Sequence, residues 1–381
     1  MRFALLGPTY PYRGGIAQYT ASLHNALQEQ GHEVLVISFN RLYPSLMFPG
    51  SSQTDQSACP LHVPHEALLD SLWPVSWRRA GRRLARSRPE AVVVQWWHPF
   101  FGPTYRGVIY RYRQEGQAPV VFLCHNVLPH ERPRLPAING MLRLMVSRTF
   151  SLADAFLTHS QALVEEIREF RPGSLVRRIF HPMYDFYPRI AREREAGVPR
   201  LLFFGNVRPY KGLEVFLRAL RLVREEMEFE AVVAGEFYMD PEPFKAMVEQ
   251  LALGDRVKWR DWYIPNEEVP DLFEKADLVV LPYLEATQSG VVPLAYRFGV
   301  PVVASDVGGL SEVVLEGRTG YLVPPGEPGV LAQRILQYFR EQKRTEFQAN
   351  IEKFRERLNW GQVVEAIVEV VGTRGSRGLR G

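Results

Sequence analysis

Residues 201–212, Leu-Leu-Phe-Phe-Gly-Asn-Val-Arg-Pro-Tyr-Lys-Gly, contain the pattern that decides the fold. A short apolar run ends at a glycine, a polar loop follows, and an amphipathic stretch begins after the second glycine. This order is typical of a buried parallel strand that turns into a helix. Because the same alternation recurs along both halves of the chain, the sequence predicts an α/β fold built on parallel, doubly wound sheets.

Six strands are predicted in each half. In the first half they are Phe3–Leu6, Val34–Ser38, Ala91–Gln95, Val120–Leu123, Ala155–Thr158 and Val176–Phe180. In the second half they are Leu201–Phe204, Ala231–Ala234, Val257–Trp259, Leu278–Leu281, Val302–Ala304 and Tyr321–Val323. Residues 40–75 are rich in Pro, Ser and Gly, so they are predicted to form a long surface loop with partial order.

A length of 381 residues exceeds what one ordinary core supports, which favours two domains. The charged segment Tyr187–Gly197 interrupts the pattern and is interpreted as part of a linker. The predicted divisions are a first domain 1–185, a linker 186–199, a second domain 200–357, a crossover helix 358–371 and a disordered tail 372–381.

The composition narrows the functional classes. No apolar run reaches the roughly 20 residues that span a bilayer, and Cys59 and Cys124 form neither a metal-like nor a disulfide-rich pattern. We therefore expect a cytoplasmic enzyme. Residues 1–185 carry 20 Arg, no Lys and 13 acids, whereas the remainder carries 26 basic and 29 acidic residues. The basic half is expected to meet an anion such as a nucleotide phosphate, a phospholipid surface or a lipid diphosphate.

Two motifs of the first half follow predicted strands. The pair Gly14-Gly15 opens onto a helix, where backbone N–H groups can approach an anion. The alternative is an ordinary tight turn. His125 follows the fourth strand and could donate a hydrogen bond into a cleft. A structural histidine is the alternative, and His98 and His181 lie at similar strand ends.

The second half carries the stronger signal. Gly205, Arg208 and Lys211 lie on one loop before a helix, so two cations and free amides could hold a diphosphate. Gln288, Ser289 and Gly290 precede another helix, and a third loop contains Gly308-Gly309 and Glu312. Each of the later loops could be a simple helix cap. No Asp-any-Asp pair occurs in the sequence, so we expect no catalytic metal, and no cofactor is predicted.

Together these residues resemble the retaining glycosyltransferase family 4, which has the GT-B architecture of two Rossmann-like domains facing an interdomain cleft. The resemblance covers nearly the whole chain: Gly14-Gly15, His125, Gly205 to Gly212 and Gly308 to Glu312 follow the family's order. It implies that Arg208 and Lys211 bind the donor diphosphate, that His125 faces the transferred sugar, and that the helix near Trp360 crosses back. The catalytic residues are thus expected to be His125, Arg208 and Lys211.

The chain departs from the family at two acids. Most members carry two glutamates eight positions apart, where this chain has Ala286 and Leu294. The segment Ala286–Gly290 instead resembles a variant subgroup of transferases that build bacterial polysaccharides. The expected activity is retaining, metal-independent transfer from a nucleotide-diphosphate sugar to a glycan or lipid-linked acceptor. The alternatives are a nucleotide-sugar epimerase, or a degenerate homologue that acts as a membrane-associated scaffold.

A basic segment of the first half is a candidate membrane contact. Residues 73–88 contain two Trp, six Arg and no acid, and Arg78, Arg79, Arg82, Arg83 and Arg86 would share one helical face. An anionic membrane surface would attract this face. The alternative is a solvated basic helix. A nucleic-acid partner is not predicted, since no binding motif accompanies the basic residues.

Overall fold

A computed structural model of the chain describes residues 1–44, 47–48, 50–129, 135–189 and 197–375. They form two compact units. The first contains Met1–Gln56, Pro60–Pro182 and the chain from Asn359 onward, and the second contains Ser57–Cys59 and Met183–Leu358. Each unit is built around its own parallel sheet.

The first sheet has seven strands in the order β3-β2-β1-β4-β5-β6-β7. Strand β1 lies in the interior, pairing with β2 through Phe3 and Val34 and with β4 through Phe3 and Ala91. The sheet therefore grows outward from β1 in both directions, which is the doubly wound arrangement. The strands are β1 Arg2–Leu6, β2 Glu33–Arg41, β3 Glu66–Asp70, β4 Ala91–Trp96, β5 Val120–Cys124, β6 Ala155–Thr158 and β7 Val176–Arg178.

Helices cover both faces of this sheet and leave an apolar core on each side. The helices are α1 Gly15–Glu29, α2 Pro74–Arg86, α3 Gly102–Tyr112, α4 Pro136–Phe150, α5 Gln161–Phe170 and, at the end of the chain, α12 Trp360–Gly375. Helices α1 and α12 share one core, which includes Leu23, Val363 and Ile367. Helices α2 to α5 contribute to the other, which includes Leu84, Val108 and Phe150. Each fully buried aliphatic side chain stabilises the fold by roughly 1.5–3 kcal/mol.

The second sheet has six parallel strands in the order β10-β9-β8-β11-β12-β13. The strands are β8 Arg200–Phe204, β9 Glu230–Ala234, β10 Val257–Arg260, β11 Leu278–Leu281, β12 Val302–Ser305 and β13 Gly320–Val323. The helices are α6 Leu213–Val223, α7 Glu242–Gln250, α8 Val269–Lys275, α9 Val291–Arg297, α10 Pro328–Arg340 and α11 Arg344–Arg355. The prediction of an α/β chain with two doubly wound parallel sheets is confirmed.

Two local predictions need correction. Residues 40–75 were expected to be a loop, but Glu66–Asp70 forms the edge strand β3 and α2 begins at Pro74. Strand β3 escaped the pattern because, of its five residues, only Leu69 is fully buried. The tail was expected to be disordered from residue 372, but α12 continues to Gly375. Residues 376–381 of that prediction lie outside the described part of the chain.

The units differ from the predicted domain limits. The segment of the first unit that begins at Pro60 ends at Pro182, three residues before the predicted domain end at 185. Residues Ser57–Cys59 belong to the second unit, where the Ser57 Oγ accepts a hydrogen bond from the Asn266 amide at 2.9 Å. Helix α12 belongs to the first unit. Residues 190–196 of the predicted linker 186–199 lie outside the described residues.

No helix in the described ranges has both the length and the apolar character required to cross a bilayer.

Candidate active site

The loop after β8 is shaped by two glycines with positive φ. A Cβ at Gly205, whose φ is +102°, would lie 2.7 Å from the Lys211 Nζ. At Gly212, whose φ is +67°, a Cβ would lie 2.0 Å from the Pro282 carbonyl oxygen. Only glycine combines this conformation with so close an approach. The loop therefore packs directly against the end of β11, and α6 begins at Leu213.

Lys211 is a buried cation at the centre of this loop. Lys211 is only 8% exposed, and its Nζ lies 5.3 Å from the ring centroid of Tyr283. Burial lowers the pKa of the Lys211 ammonium, and the nearby Arg208 charge lowers it further. The negative face of the tyrosine ring partly offsets this loss of hydration. Because water is largely excluded, an incoming anion would interact with this ammonium more strongly than at a solvated surface.

Arg208 is held in a similar way by a second tyrosine. Its Cζ lies 4.6 Å from the ring centroid of Tyr238, on the loop after β9. The Tyr238 hydroxyl accepts a hydrogen bond from the Asn206 Nδ2 at 3.3 Å, and the Tyr238 amide donates to the Val207 carbonyl at 3.0 Å. The guanidinium is thus positioned by a ring that is itself fixed to the Arg208 loop.

Tyr283 also connects the cationic loop to the loop before α9. Its hydroxyl lies 3.4 Å from the Ser289 Oγ, which accepts a hydrogen bond from the Val291 amide at 3.2 Å. Gly290 immediately precedes α9. The Gln288 Oε1 is buried and has no hydrogen-bond partner among the described residues, so it is an acceptor available to a bound donor group. The structure thus brings Lys211 and the Gln288–Gly290 segment together.

The loop after β12 joins the same cluster. Gly308, with φ +52°, approaches so closely that a Cβ there would lie 1.7 Å from the Ala286 carbonyl oxygen. The Gly309 amide donates to the Thr287 carbonyl at 3.0 Å. Glu312 follows in this segment and is half-buried. Loops at the carboxyl ends of β8, β9, β11 and β12 therefore converge, as expected for a ligand site on an open parallel sheet.

In the first unit, Gly14 and Gly15 lie at the start of α1. Gly14 has φ +98° and no heavy atom within 4 Å of an added Cβ, so the backbone conformation alone favours glycine there. Its carbonyl accepts the hydrogen bond from the Gln18 amide, and Gly15 is the first residue of the helix. Gly14 is the N-cap residue of this helix and has no side chain that could cap it. The backbone amides of the first turn therefore receive no hydrogen bond from an N-cap side chain.

His125 differs from its expected orientation. His125 follows β5 as predicted, but it is only 3% exposed and its Nε2 lies 2.8 Å from the Gln95 Oε1. Burial, with a smaller contribution from His181, lowers the pKa of His125 to about 3. The ring is therefore neutral near pH 7, and a proton on Nε2 would be donated to Gln95. In this structure the Nε2 is engaged by Gln95 and is not presented to a ligand.

His125 belongs to a buried aromatic cluster. Its ring lies 4.7 Å from Tyr19 and 5.6 Å from His159, and His159 lies 4.9 Å from His181. The Trp360 ring of α12 completes the cluster at 4.8 Å from Tyr19. The structure thus surrounds His125 with first-unit residues.

Sequence reasoning missed Tyr238, Tyr283 and Gln95. Tyr283 follows a strand by two residues, and Gln95 is a polar residue inside the buried strand Ala91–Trp96, so both had a visible signal. Tyr238 had none, since it lies four residues beyond β9 in a loop of ordinary composition. Its role depends on the fold bringing two loops together.

Comparison with known proteins agrees with this architecture. Residues 13–183 match the family described as Glycosyltransferase Family 4, and residues 198–341 match Glycosyl transferases group 1. The D-inositol 3-phosphate glycosyltransferase of Streptomyces avermitilis is 30% identical over 210 residues, which cover 52% of this chain and 44% of the relative. Its counterpart from Paenarthrobacter aurescens is 31% identical over 205 residues, 52% of this chain and 49% of the relative. The chain thus spans about half the length of these curated relatives.

Solved structures share the fold along the whole chain. The sucrose-phosphate synthase from Thermosynechococcus elongatus has a TM-score of 0.72 at 17% identity and covers 100% of both chains. Anabaena HepE, crystallised with UDP-glucose, has a TM-score of 0.73 at 18% identity, covering 97% of this chain and 99% of its own. Both halves match glycosyltransferase models and the whole fold matches these structures, so the chain belongs to the glycosyltransferase family 4-like proteins of GT-B architecture.

Proposed function

We propose that the chain is a hexosyltransferase that moves a sugar from a nucleotide-diphosphate sugar to a glycan or lipid-linked acceptor, with retention of anomeric configuration and without a catalytic metal. The observation that carries the proposal is the pair Arg208 and Lys211, each set against a tyrosine ring at the carboxyl edge of the second sheet. The UDP and UDP-glucose bound by Anabaena HepE support a uridine nucleotide as the first donor to test.

The chemistry requires stabilisation of a departing diphosphate. The bond between the anomeric carbon and the diphosphate oxygen breaks, and its electron pair leaves with the nucleotide diphosphate. An acceptor hydroxyl forms the new bond on the same face of the sugar, and its proton passes to a diphosphate oxygen. Arg208 and Lys211 would balance the negative charge that develops, a contribution worth about 3–4 kcal/mol for one well-placed donor.

The loops around the cations would complete the donor site. Ser289 and Gly290, which directly precede α9, would meet the phosphates, and the unpartnered Gln288 Oε1 would accept a hydrogen bond from a donor hydroxyl. Gly205 keeps the space beside Lys211 open, and Glu312 remains a candidate donor ligand. Gly14 and Gly15 would bind phosphate oxygens, and His125 would act beside the transferred sugar if its ring turned away from Gln95.

An acceptor in cell-surface polysaccharide assembly is part of this proposal. The support is the sequence resemblance of the Ala286–Gly290 segment to polysaccharide-building transferases. Such an acceptor is often carried on a lipid, so we extend the proposal to a cytoplasmic enzyme that associates with the inner face of the cell membrane.

The test is turnover of UDP-sugars in the presence of a chelator. Arg208→Gln and Lys211→Met should each lower kcat by about 100- to 1,000-fold, because each removes one positive charge from the transition state. Lys211→Met keeps the volume of the buried side chain. The matched control is Arg218→Gln, which removes an exposed charge from α6 that is paired with Glu214.

Three outcomes discriminate between the transferase, the epimerase and the inactive scaffold. Near-normal turnover in both variants would contradict the role of the cations. Conversion of the donor to an isomeric nucleotide sugar would indicate the epimerase. A wild-type chain that binds UDP but neither transfers nor hydrolyses any donor would favour the inactive scaffold, which the non-acidic residues at 286 and 294 make a specific alternative.

A further inference from the structure

A groove of about 640 Å³ runs between the edge strand β3 and helix α2, on the first unit. Five arginines line it: Arg78, Arg79, Arg82, Arg83 and Arg86. One acid, Glu66, lines the same groove and forms a bidentate ion pair with Arg83, with nitrogen–oxygen distances of 2.6–2.9 Å. This groove lies far along the chain from the cationic loop of the second unit and serves no step of the proposed transfer.

The positive charge of the groove is only partly compensated, by Glu66 on Arg83 and by Glu115, whose pKa is lowered by Arg111 and, to a smaller extent, by Arg82 and Arg86. Among the described residues, no carboxylate forms an ion pair with Arg78, Arg79, Arg82 or Arg86. The spacing makes this costly, because Arg78 and Arg82, and again Arg82 and Arg86, are four residues apart on one helix and repel each other. An anion that enters the groove would relieve this repulsion and gain several charge-assisted hydrogen bonds at once.

Apolar side chains lie exposed where α2 begins. Leu72 is 49% exposed, Trp73 58% and Val75 56%. Large apolar side chains in one exposed run favour contact with a partner rather than with water. Tryptophan beside arginine is typical of proteins that lie at the boundary between lipid headgroups and acyl chains.

The same character extends over the neighbouring helices. Helix α3 packs closely on α2, since a Cβ at Gly81 would lie 2.7 Å from the Val108 carbonyl oxygen and one at Gly107 would lie 2.7 Å from Trp77. Helices α2, α3 and α4 together carry nine arginines and no Asp or Glu, and three of these arginines, Arg83, Arg111 and Arg143, are paired with acids outside the three helices. Besides Val75 on α2, the exposed large apolar residues of these helices are Tyr110 on α3 and Leu135, Ile138, Met141 and Leu144 at and within α4.

From this arrangement we propose that the groove between β3 and α2 binds the phosphate-bearing headgroups of an anionic bilayer, with Leu72, Trp73 and Val75 inserted among the acyl chains. A soluble polyanion would satisfy the arginines but would leave the apolar run in water. The inference adds a binding site to the membrane association in the proposed function. It is tested by binding alone, so it can fail while the transferase proposal stands, and the reverse.

The experiment is flotation of the full chain with vesicles of phosphatidylcholine alone or of equal parts phosphatidylcholine and phosphatidylglycerol. The chain should float with the anionic vesicles and remain behind with the neutral ones. Replacing Arg78, Arg79, Arg82 and Arg86 together with Gln should lower the partition coefficient by about fivefold per arginine. The variant Trp73→Ser with Val75→Ser should weaken flotation with all charges retained.

A matched control removes four exposed charges from the second unit by changing Arg218, Lys258, Arg318 and Lys353 to Gln. It has the same net charge as the groove variant and should float as the wild type does. Should the groove variant fold poorly, the single changes Arg78→Gln and Arg82→Gln carry the test, each with about a fivefold loss.

The proposal is overturned if the groove variant floats normally, if the control loses as much binding as the groove variant, or if neutral vesicles bind equally well. Loss of flotation when soluble glycerol phosphate is added at the same phosphate concentration as the vesicles would also overturn it, because the groove would then select the free phosphate group rather than the membrane.

Discussion

At the scale of single residues, the proposed donor site depends on cations that face tyrosine rings. Lys211 is buried, so it lacks the hydration that normally stabilises an ammonium, and Tyr283 provides a ring face 5.3 Å away. The same ring reaches Ser289 through its hydroxyl. Tyr283 therefore has two separable functions, one through its ring and one through its oxygen.

Substitutions at Tyr283 should separate these functions. In Tyr283→Leu the ring face is lost, so the pKa of Lys211, already lowered by burial, should fall further. Lys211 would then lose its proton at lower pH, and the basic limb of the kcat/KM–pH profile should move to lower pH. Tyr283→Phe keeps the ring, so its basic limb should coincide with that of the wild type. A Phe variant whose limb shifts as far as that of the Leu variant would contradict the ring-face interaction.

The buried histidines should make stability depend on pH. Burial lowers the pKa of His125 to about 3 and of His181 to about 4, whereas in the unfolded chain both titrate near 6.5. Between these values the unfolded state binds more protons, so stability is full above about pH 6.5 and falls as the pH decreases. Each histidine should contribute a slope of about 1.4 kcal/mol per pH unit within its window.

The measurement is urea unfolding from pH 7 down to pH 4.5. His125→Gln should reduce the slope of the unfolding free energy against pH by about 1.4 kcal/mol per pH unit relative to the wild type, which corresponds to one proton. This change is expected whatever the effect of the substitution on absolute stability. The exposed His62→Gln, on the same unit, serves as the matched control for the loss of one imidazole. Identical slopes in the wild type and His125→Gln would show that this ring is not held neutral.

At the scale of elements, the loops at strand ends place the site. The turn at Gly212 matters most, because it packs against Pro282 and sets the position of Lys211 one residue earlier. Gly317 provides a matched control: its φ of +66° is nearly the same, but an added Cβ there meets nothing within 4 Å.

The two glycines should therefore respond differently to alanine. Gly317→Ala should cost about 1–2 kcal/mol of stability, from the left-handed backbone alone. Gly212→Ala should cost more and should also weaken UDP binding, because the clash with the Pro282 carbonyl displaces the loop. Calorimetric titration with UDP and chemical unfolding check both effects. Equal losses of stability with unchanged UDP binding would rule out a positioning role for the Gly212 turn.

The sequence predicted most elements for a physical reason. Buried parallel strands such as Val120–Cys124 are continuous apolar runs between turn residues, and such runs are visible without a structure. The edge strand β3 was missed because only one of its five residues, Leu69, is fully buried, so no apolar run marks it. The loop that carries Arg208 and Lys211 could be recognised in the sequence, because a glycine, two cations and the beginning of a helix follow a predicted strand. Tyr238 was not visible, since its ring meets Arg208 only where the fold brings together two loops that are distant in sequence.

At the scale of the whole molecule, the end of the chain stabilises its beginning. Helix α12 belongs to the first unit, and its Val363, Val364 and Ile367 are fully buried in the core that contains Leu23 of α1 and Leu5 of β1. The resemblance implied a helix that crosses back, but periodicity alone could not tell which sheet the helix would cover.

Loss of apolar contact on α12 should destabilise the first unit. Ile367→Ala should cost about 2–5 kcal/mol of unfolding free energy, because the side chain is fully buried and leaves a cavity. Glu365→Ala, an exposed position on the same helix, should change stability by less than about 0.5 kcal/mol. Chemical unfolding of the two variants decides the matter, and equal effects would contradict the packing of α12 on this core.

The central claim is that a diphosphate is received by Arg208 and Lys211 without a divalent ion. Calorimetric titration of the chain with UDP in excess EDTA tests it most directly. We predict that the wild type binds in EDTA with the same affinity as in magnesium. The double variant Arg208→Gln with Lys211→Met should bind at least about 100-fold more weakly, since each charged hydrogen bond contributes about 1.5–3 kcal/mol. Binding that requires magnesium, or that survives the double substitution, would contradict the account.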